Sequence, residues 1–218
     1  MKKTAKRLLL YLSGFIILAA GVNVSKTAQL GISPVSAIPY AMELIWGVEL
    51  GKATLAFNIL LIAVQIILLR KNFKPVQLLQ IVCTYLFAVF VTYTGGGYLL
   101  FWLPLPTFYI MQLIYLFISI ILIGVGASFY LIPGFVPLPA EGLANAIVEL
   151  SKDKIKFSNA KVAVDSGMVA ISAILSIVFL GGFKSVREGT IIAALLIGKV
   201  VGYVFKHYKK GIVQWIEK

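Results

Sequence analysis

Six long apolar segments alternate along the chain with short polar or basic segments. Each is long enough to cross a bilayer as a helix, which takes about 20 residues. They cover residues of about 8–24, 53–70, 76–94, 109–130, 161–180 and 189–205. The pattern predicts an all-α, polytopic membrane protein with six transmembrane helices.

Two further segments, about 33–47 and 138–151, are apolar or amphipathic but short for a crossing. Pro34 and Pro139 near their starts suit the first turn of a helix, where a missing N–H costs little. Non-helical backbone at membrane depth persists only where protein or a watery cavity surrounds it. We therefore expect two re-entrant half-helices beside a cavity. The alternative is a pair of amphipathic helices that lie on the bilayer surface.

The two halves of the chain resemble each other at an offset slightly above one hundred residues. Residues 11–18 match 115–122, 31–34 match 134–137, and 73–76 match 183–186. This predicts a first membrane repeat at 1–104 and a second, with a basic tail, at 105–218. If the short segments do not cross, each repeat has three spans and the second is inverted. If they cross, eight spans form parallel repeats. Both plans are known among transporters.

Composition and charge support a membrane protein. Of the 218 residues, 60% are hydrophobic and 13% are charged, whereas soluble domains have about 25% charged residues. The net charge of +12 comes from basic residues at the ends of the apolar segments. This is the positive-inside pattern and not a nucleic-acid-binding surface. With six spans, most of these residues fall on the side of both termini, which we expect to be cytoplasmic.

The sequence has few of the residues that enzymes commonly use for catalysis or metal binding. Cys83 is the only cysteine, and His207, the only histidine, lies in the basic tail. An internal disulfide, a cysteine metal site and Ser-His catalysis inside the membrane are therefore excluded. We expect no catalytic residue, no metal, no cofactor and no enzyme activity.

Three ionisable residues in or beside the apolar segments need an explanation, because a charge at the bilayer centre costs roughly 2.5–3.5 kcal/mol. They are Glu141, Asp165 and Lys199. In a functional interpretation, Glu141 and Asp165 relay protons or bind a cation, and Lys199 is their counter-ion or anchors a substrate. In a structural interpretation, Asp165 and Lys199 form an ion pair, or Lys199 extends its stem to the interface.

The predicted substrate site lies between the repeats, where the starts of the half-helices present unpaired N–H groups. It combines the short segments with polar positions of the long ones. Its residues are Ser33, Pro34, Ser36, Asn58, Pro137, Pro139, Glu141, Asn145, Asp165, Thr190 and Lys199. Gln65, Gln80 and Gln112 are interpreted as hydrogen-bonding residues between helices.

Short motifs in both halves carry a family resemblance. The first group is Leu30-Gly31-Ile32-Ser33-Pro34, followed by Gly51 and an apolar helix that ends at Arg70-Lys71. The second is Pro137-Leu138-Pro139-Ala140-Glu141-Gly142-Leu143, followed by Asp165, Leu180-Gly181-Gly182 and Gly189-Thr190-Ile191. In these motifs, over nearly its whole length, the chain resembles the YczE/YyaS/YitT group of bacterial membrane proteins.

The resemblance implies a multi-pass protein of the bacterial cytoplasmic (inner) membrane that acts as a transporter, without specifying a substrate. The group often has Trp-Asp after the first Ser-Pro, where this chain has Val35-Ser36. It also has Asp at the place of Glu141, and Glu at the place of Asp165. The missing first acid shifts the expected site toward the second repeat.

The leading hypothesis is a small secondary transporter or permease for a small solute, coupled to protons or a cation. Alternating access would arise from one repeat moving against the other. The competing hypothesis is a non-transporting membrane scaffold or accessory subunit of a biosynthetic or signalling complex. Expected partners are the lipid bilayer, an unidentified small solute and a second copy in a homodimer, and not nucleic acid.

Overall fold

The structure is a computed structural model that describes residues 2–95 and 97–217. Helices dominate the described residues, which include no strand. The α-helices of this part are α1 (Lys2–Ala28), α2 (Ala37–Trp46), α3 (Leu50–Leu69), α4 (Leu79–Thr94), α5 (Tyr109–Leu131), α6 (Pro139–Leu150), α7 (Phe157–Leu180), α8 (Glu188–His207) and α9 (Lys209–Glu217).

Six helical segments are long and apolar enough to cross a membrane, and they coincide with the six predicted spans. They are Lys3–Ala28, Leu50–Asn72, Pro75–Thr94, Tyr109–Leu131, Phe157–Leu180 and Glu188–His207. Their outward faces are apolar: Ile171, Ile174 and Val178 of α7 form a stripe with 52%, 60% and 67% exposure. Such a large apolar surface is stable only against lipid or another protein. The predicted all-α, multi-pass membrane protein is confirmed.

The two short segments form short helices. Helix α2 has 10 residues and α6 has 12, which at 1.5 Å per residue gives lengths of about 15 and 18 Å. A hydrocarbon core is about 30 Å thick, so neither helix crosses it by itself. The turn Pro34–Ser36 leads into α2, and Pro139 is the first residue of α6. Re-entry of these helices into the bilayer stays a prediction.

The chain divides into two compact units. Unit 1 contains Met1–Ser33, Phe90–Phe135 and Glu188–Lys218, and unit 2 contains Pro34–Val89 and Val136–Arg187. Each unit therefore takes segments from both halves of the chain. The division into repeats at residue 104 stays a prediction, because it concerns similarity between the halves and not compactness.

In unit 1, α1 and α5 pack backbone to backbone. A Cβ atom added to Gly14 would lie 2.9 Å from the carbonyl oxygen of Gly126, and one added to Gly126 would lie 2.9 Å from that of Gly14. Seven residues further along α1, Gly21 faces the backbone of Ile123, which precedes Gly126 in α5. The two helices are therefore antiparallel, and their glycines allow the close approach that is common between membrane helices.

The rest of unit 1 assembles on this pair. Gly124 of α5 packs directly against Val200 of α8, and the Gly189 N–H at the start of α8 donates to the Leu30 carbonyl oxygen at 2.8 Å. Buried Asn23 of α1 donates to the Val91 carbonyl oxygen near the end of α4 at 2.8 Å. These contacts place α1 and α5, the first helix of each half, beside α8, the last of the six candidate spans.

In unit 2, both short helices pack against α3 and α7. Their small buried side chains, among them Ala140 and Ala144 of α6, pack against Phe57 of α3 and against Val164 and Met168 of α7. Alanines allow α6 to lie close to its neighbours, so its first turn is buried inside unit 2.

Candidate functional site

A pair of glutamines fixes the start of α6. Gln65 of α3 and Gln80 of α4 exchange two hydrogen bonds between their amides, at 3.2 and 3.1 Å. Gln65 also donates to the carbonyl oxygen of Pro139, the first residue of α6, at 3.1 Å. Both amides are buried, and a Cβ atom on Gly142 would lie 2.6 Å from Gln65 Oε1. This contact agrees with the interpretation of Gln65 and Gln80 as hydrogen-bonding residues between helices.

A pair of serines holds the start of α2 in a similar way. The Ser172 hydroxyl of α7 donates to the carbonyl oxygen of Ala37, the first residue of α2, at 2.7 Å. The Ser185 hydroxyl lies 2.9 Å from the Ser172 oxygen, and both serines are fully buried. Each short helix thus has its first carbonyl bonded by a buried polar pair from the other half of the chain.

Three ionisable side chains meet between α6 and α7, and we refer to Glu141, Lys161 and Asp165 as the acid–lysine cluster. The Lys161 ammonium lies 2.7 Å from Asp165 Oδ1 and 3.4 Å from Glu141 Oε1. Lys161 and Asp165 are four residues apart on one face of α7. Glu141 reaches the same ammonium from the first turn of α6, which the glutamine pair positions.

The acid–lysine cluster is partly buried and unbalanced in charge. Its side chains are 15% exposed for Glu141, 23% for Lys161 and 25% for Asp165. With all three ionised, two carboxylates share one ammonium and the net charge is −1. The second oxygen of Glu141 is buried and has no hydrogen-bond partner within the described residues. Such an oxygen is costly unless it gains a proton or a cation, so the cluster is suited to take up either.

The cation beside Asp165 is Lys161 and not Lys199, which corrects the expected counter-ion. Lys199 lies exposed on α8 in unit 1. Lys161 is the first residue of the predicted span 161–180, where a basic residue is typical of a span end, so the predicted site did not include it. The signal was present in its spacing, because a lysine four residues before an acid shares its helix face.

The other predicted site residues have varied environments. Asn145 of α6 is exposed, and Pro137 is partly buried before α6. The remaining predicted residues are buried, and they are Ser33, Pro34, Ser36, Asn58, Pro139 and Thr190. Ser33 and Thr190 belong to unit 1 and the others to unit 2. The contacts bring together Glu141 and Asp165, because both pair with Lys161. Pro139 lies two residues before Glu141 in α6, and its carbonyl oxygen accepts the hydrogen bond from Gln65.

The sequence has few side chains that could bind a metal ion, with eight Asp and Glu, one His and one Cys. Across residues 2–95 and 97–217, no three or more His, Cys, Asp or Glu side chains are grouped so that they could hold a metal ion. Cys83 of α4 is the only cysteine of the sequence, so the chain forms no internal disulfide.

The motifs and helices described above agree with a comparison to known families. A family model described as a family of unknown function, DUF6198, matches residues 5–206. The chain belongs to the DUF6198 family. The matched region contains the whole acid–lysine cluster, four candidate spans completely, the first span from residue 5 and the last up to Lys206.

A similar protein from Bacillus subtilis (strain 168) is described as "Uncharacterized membrane protein YczE". It is 27% identical over 194 residues, which are 88% of this chain and 82% of that protein. The predicted resemblance to the YczE group is confirmed. No solved structure matches this member of the DUF6198 family.

Proposed function

We propose that the protein is a small secondary transporter or permease for a small solute, coupled to protons or a cation at the acid–lysine cluster. The observation that carries the proposal is Lys161 bonded to both Glu141 and Asp165 in a polytopic membrane protein. Ionisable residues within membrane spans are costly, and they typically belong to ion or substrate pathways.

The direction of the helices supports an inverted duplication. If each of the six long helices crosses once and α2 does not, then α5 runs opposite to α1. If α2 also crossed, α5 would run parallel to α1. The antiparallel contacts of Gly14 with Gly126 and of Gly21 with Ile123 favour the first arrangement. Inverted repeats with broken helices are characteristic of secondary transporters.

The bonding of the short helices also supports this arrangement. Ala37 is bound by Ser172 from the second half, and Pro139 is bound by Gln65 from the first half. In both halves, the first carbonyl of the short helix is thus bound by a polar side chain from a long helix of the other half. In transporters of this plan, the substrate binds beside such discontinuous helices.

The coupling step that we propose is a competition at Glu141. A proton or small cation that binds this carboxylate neutralises it and weakens its attraction for the Lys161 ammonium. Lys161 then pairs with Asp165 alone, and the contact between the first turn of α6 and α7 is loosened. A ligand shifts such an equilibrium only by the difference in its affinity for the two states, and here that difference comes from the charge on Glu141.

We also place the protein in the bacterial cytoplasmic membrane with both termini inside. The Lys6 ammonium of α1 donates to the Trp215 carbonyl oxygen of α9 at 3.0 Å, and Arg7 donates to that of Pro133, just after α5, at 3.2 Å. The start of α1, the end of α5 and the tail therefore share one basic end of unit 1. The positive-inside rule assigns such an end to the cytoplasm.

The test is charge movement in proteoliposomes on a solid-supported membrane after a pH jump or a jump of Na⁺ or K⁺. Addition of candidate solutes, grouped as amino acids, organic acids and organic cations, follows in the same assay. The variants are Glu141→Gln and Asp165→Asn. Matched controls are Glu149→Gln at the exposed end of α6 and Asp153→Asn in the exposed turn before α7.

We expect a transient current from the parent and from both controls, and a loss of at least ten-fold in both cluster variants. A current of equal size in all five proteins would exclude coupling at this cluster. If no ion or solute produces a current, and the cluster variants remain functional in cells, the competing hypothesis of a membrane scaffold is favoured.

A further inference from the structure

An apolar groove runs along unit 1 between α5, α8 and α9. Its volume is about 790 Å³, within the range of roughly 300–1,000 Å³ that is usual for small-molecule sites. One wall is a stripe of α5, Ile121, Val125 and Phe129, spaced four residues apart on one helix face. Val204 of α8 and Ile212 of α9 also line the groove.

The groove opens toward the surroundings of the helices. Ile121 and Tyr203 both line it and are each 56% exposed. Because α5 and α8 are candidate spans, the surroundings over most of this length are lipid. An open apolar groove in this position is suited to a hydrocarbon chain.

Cationic residues lie within and beside the groove. Among the described residues that line the groove, Lys199 is the only one that is charged at neutral pH. It precedes His207, the end of α8, by eight residues, or about 12 Å, a distance that a lysine stem partly covers as it extends toward the interface. Lys206 lies in the last turn of α8, and Lys209 and Lys210 begin α9. The apolar groove thus ends at a basic helix junction.

The α9 end of the groove is fixed by contacts to α1. The Lys6 ammonium donates to the Trp215 carbonyl oxygen at 3.0 Å and lies 5.3 Å from the centre of the Trp215 ring. Ile216 of the same helix is buried. Because these contacts hold α9 in place, the groove is formed before anything binds in it.

We propose that this groove binds the acyl chain of an anionic phospholipid of the bilayer, with the phosphate held by Lys199 and the basic α8–α9 junction. The apolar walls match the chain, and the basic rim matches the negative headgroup. Basic pockets at the cytoplasmic ends of membrane helices are typical sites for anionic lipids. A second copy of the protein is a poor occupant, because a two-fold interface would bring Lys199 and Lys206 against their own copies.

The experiment uses the full chain, reconstituted in vesicles that carry a phospholipid with a photoreactive group on its acyl chain. One set of vesicles carries photoreactive phosphatidylglycerol, and the other carries photoreactive phosphatidylcholine with the same chain. Cross-linked peptides are mapped by mass spectrometry. The expected result is labelling concentrated on residues 121–129 and 199–212, several-fold stronger for phosphatidylglycerol.

Two variants separate the headgroup from the acyl chain. Lys199→Gln is expected to lower phosphatidylglycerol labelling about five-fold and to leave phosphatidylcholine labelling unchanged. Val125→Trp fills the groove and is expected to lower labelling by both lipids. The matched control is Lys71→Gln, which removes the same charge from an exposed lysine of unit 2 and should preserve the lipid preference.

Three results would overturn the proposal. Equal labelling by the two lipids would show that the headgroup charge is not recognised. An equal loss of phosphatidylglycerol labelling in Lys71→Gln and Lys199→Gln would show the same. Labelling spread evenly over the apolar stripe of α7 and the groove would show that the groove is not a specific binding site. Because Lys199 is exposed on α8, Lys199→Gln is expected to fold. Its far-ultraviolet circular dichroism verifies this before labelling.

Discussion

Gln65 and Gln80 form a reciprocal amide pair inside unit 2, in which each side-chain NH₂ donates to the carbonyl oxygen of the other at 3.2 and 3.1 Å. The pair also binds the first carbonyl of α6. Since Glu141 is two residues further along α6, the geometry of the acid–lysine cluster depends on this pair.

The contributions of Gln65 and Gln80 to the free energy of unfolding should depend on each other. Gln80→Leu leaves the Gln65 amide buried with fewer partners, so we expect a loss of about 1–3 kcal/mol in the free energy of unfolding. In Gln65→Leu/Gln80→Leu, neither amide remains, and the loss should be smaller than the sum of the single losses. Reversible unfolding in mixed detergent measures the free energy of unfolding of Gln65→Leu, Gln80→Leu and the double variant. Gln112→Leu on α5 is the control, and strict additivity would argue against the pair.

Gly142 should be intolerant of even one methyl group. In Gly142→Ala the new Cβ meets Gln65 Oε1 at 2.6 Å and the Gln80 amide at 2.8 Å, so overpacking should cost about 1–3 kcal/mol. The control is Gly167→Ala in α7, where nothing lies within 4 Å. Alanine should stabilise that helix by about 0.5–1 kcal/mol. Equal melting temperatures for the two variants would contradict the close approach of α6.

The contact between α1 and α5 should be similarly sensitive. Gly126→Ala places a Cβ 2.5 Å from the Leu18 backbone nitrogen, and rigid backbone cannot move aside as a side chain can. We expect a loss of about 1–3 kcal/mol, read from thermal unfolding in detergent. Gly198→Ala in α8, with nothing within 4 Å of its Cβ, serves as the neutral comparison. A stable Gly126→Ala protein would argue against the antiparallel glycine contact.

Removing the lysine of the acid–lysine cluster should make stability depend on pH in a defined direction. Lys161→Met leaves Glu141 and Asp165 without the ammonium that each contacts, and we expect a loss of about 1–2 kcal/mol at pH 8, reduced by partial exposure. The two carboxylates then repel each other. Protonation of either carboxylate at lower pH removes this repulsion, so the stability of the variant rises as the pH falls.

Melting temperatures of parent and Lys161→Met between pH 5 and 8 test this direction. The difference between them should shrink toward pH 5. Lys154→Met in the exposed turn between α6 and α7 removes an equal charge and should follow the parent throughout. A constant difference across this range would show that Lys161 acts by packing and not by charge.

Two lysines distinguish the six-span arrangement from the eight-span alternative. With six spans, position 52 is outside and position 71 is inside, whereas eight spans reverse both. Lys52→Cys and Lys71→Cys in a Cys83→Ser background provide single thiols at exposed sites. We expect a membrane-impermeant maleimide to label Lys52→Cys in intact cells and Lys71→Cys only after lysis. Lys184→Cys, which is outside in both arrangements, confirms that the reagent reaches its target.

The sequence alone determined the positions of the six long apolar helices. The thickness of a bilayer sets the length of an apolar run, and this requirement is local, so it can be counted along residues 53–70 or 109–130 without knowledge of any neighbour. The short helices were predictable for the same reason, because their runs are too brief to cross and begin with proline.

Only the tertiary structure decided which side chains meet. Lys161 looked like one more basic residue at the end of a span, and its ion pair with Glu141 exists because α6 packs against α7 through small alanines. Lys199 looked like a counter-ion, but rotation and packing of α8 turn it outward in unit 1. Such pairings join residues that are far apart in sequence and depend on how helices rotate and pack against each other. An apolar run sets the length of a helix and leaves that rotation undetermined.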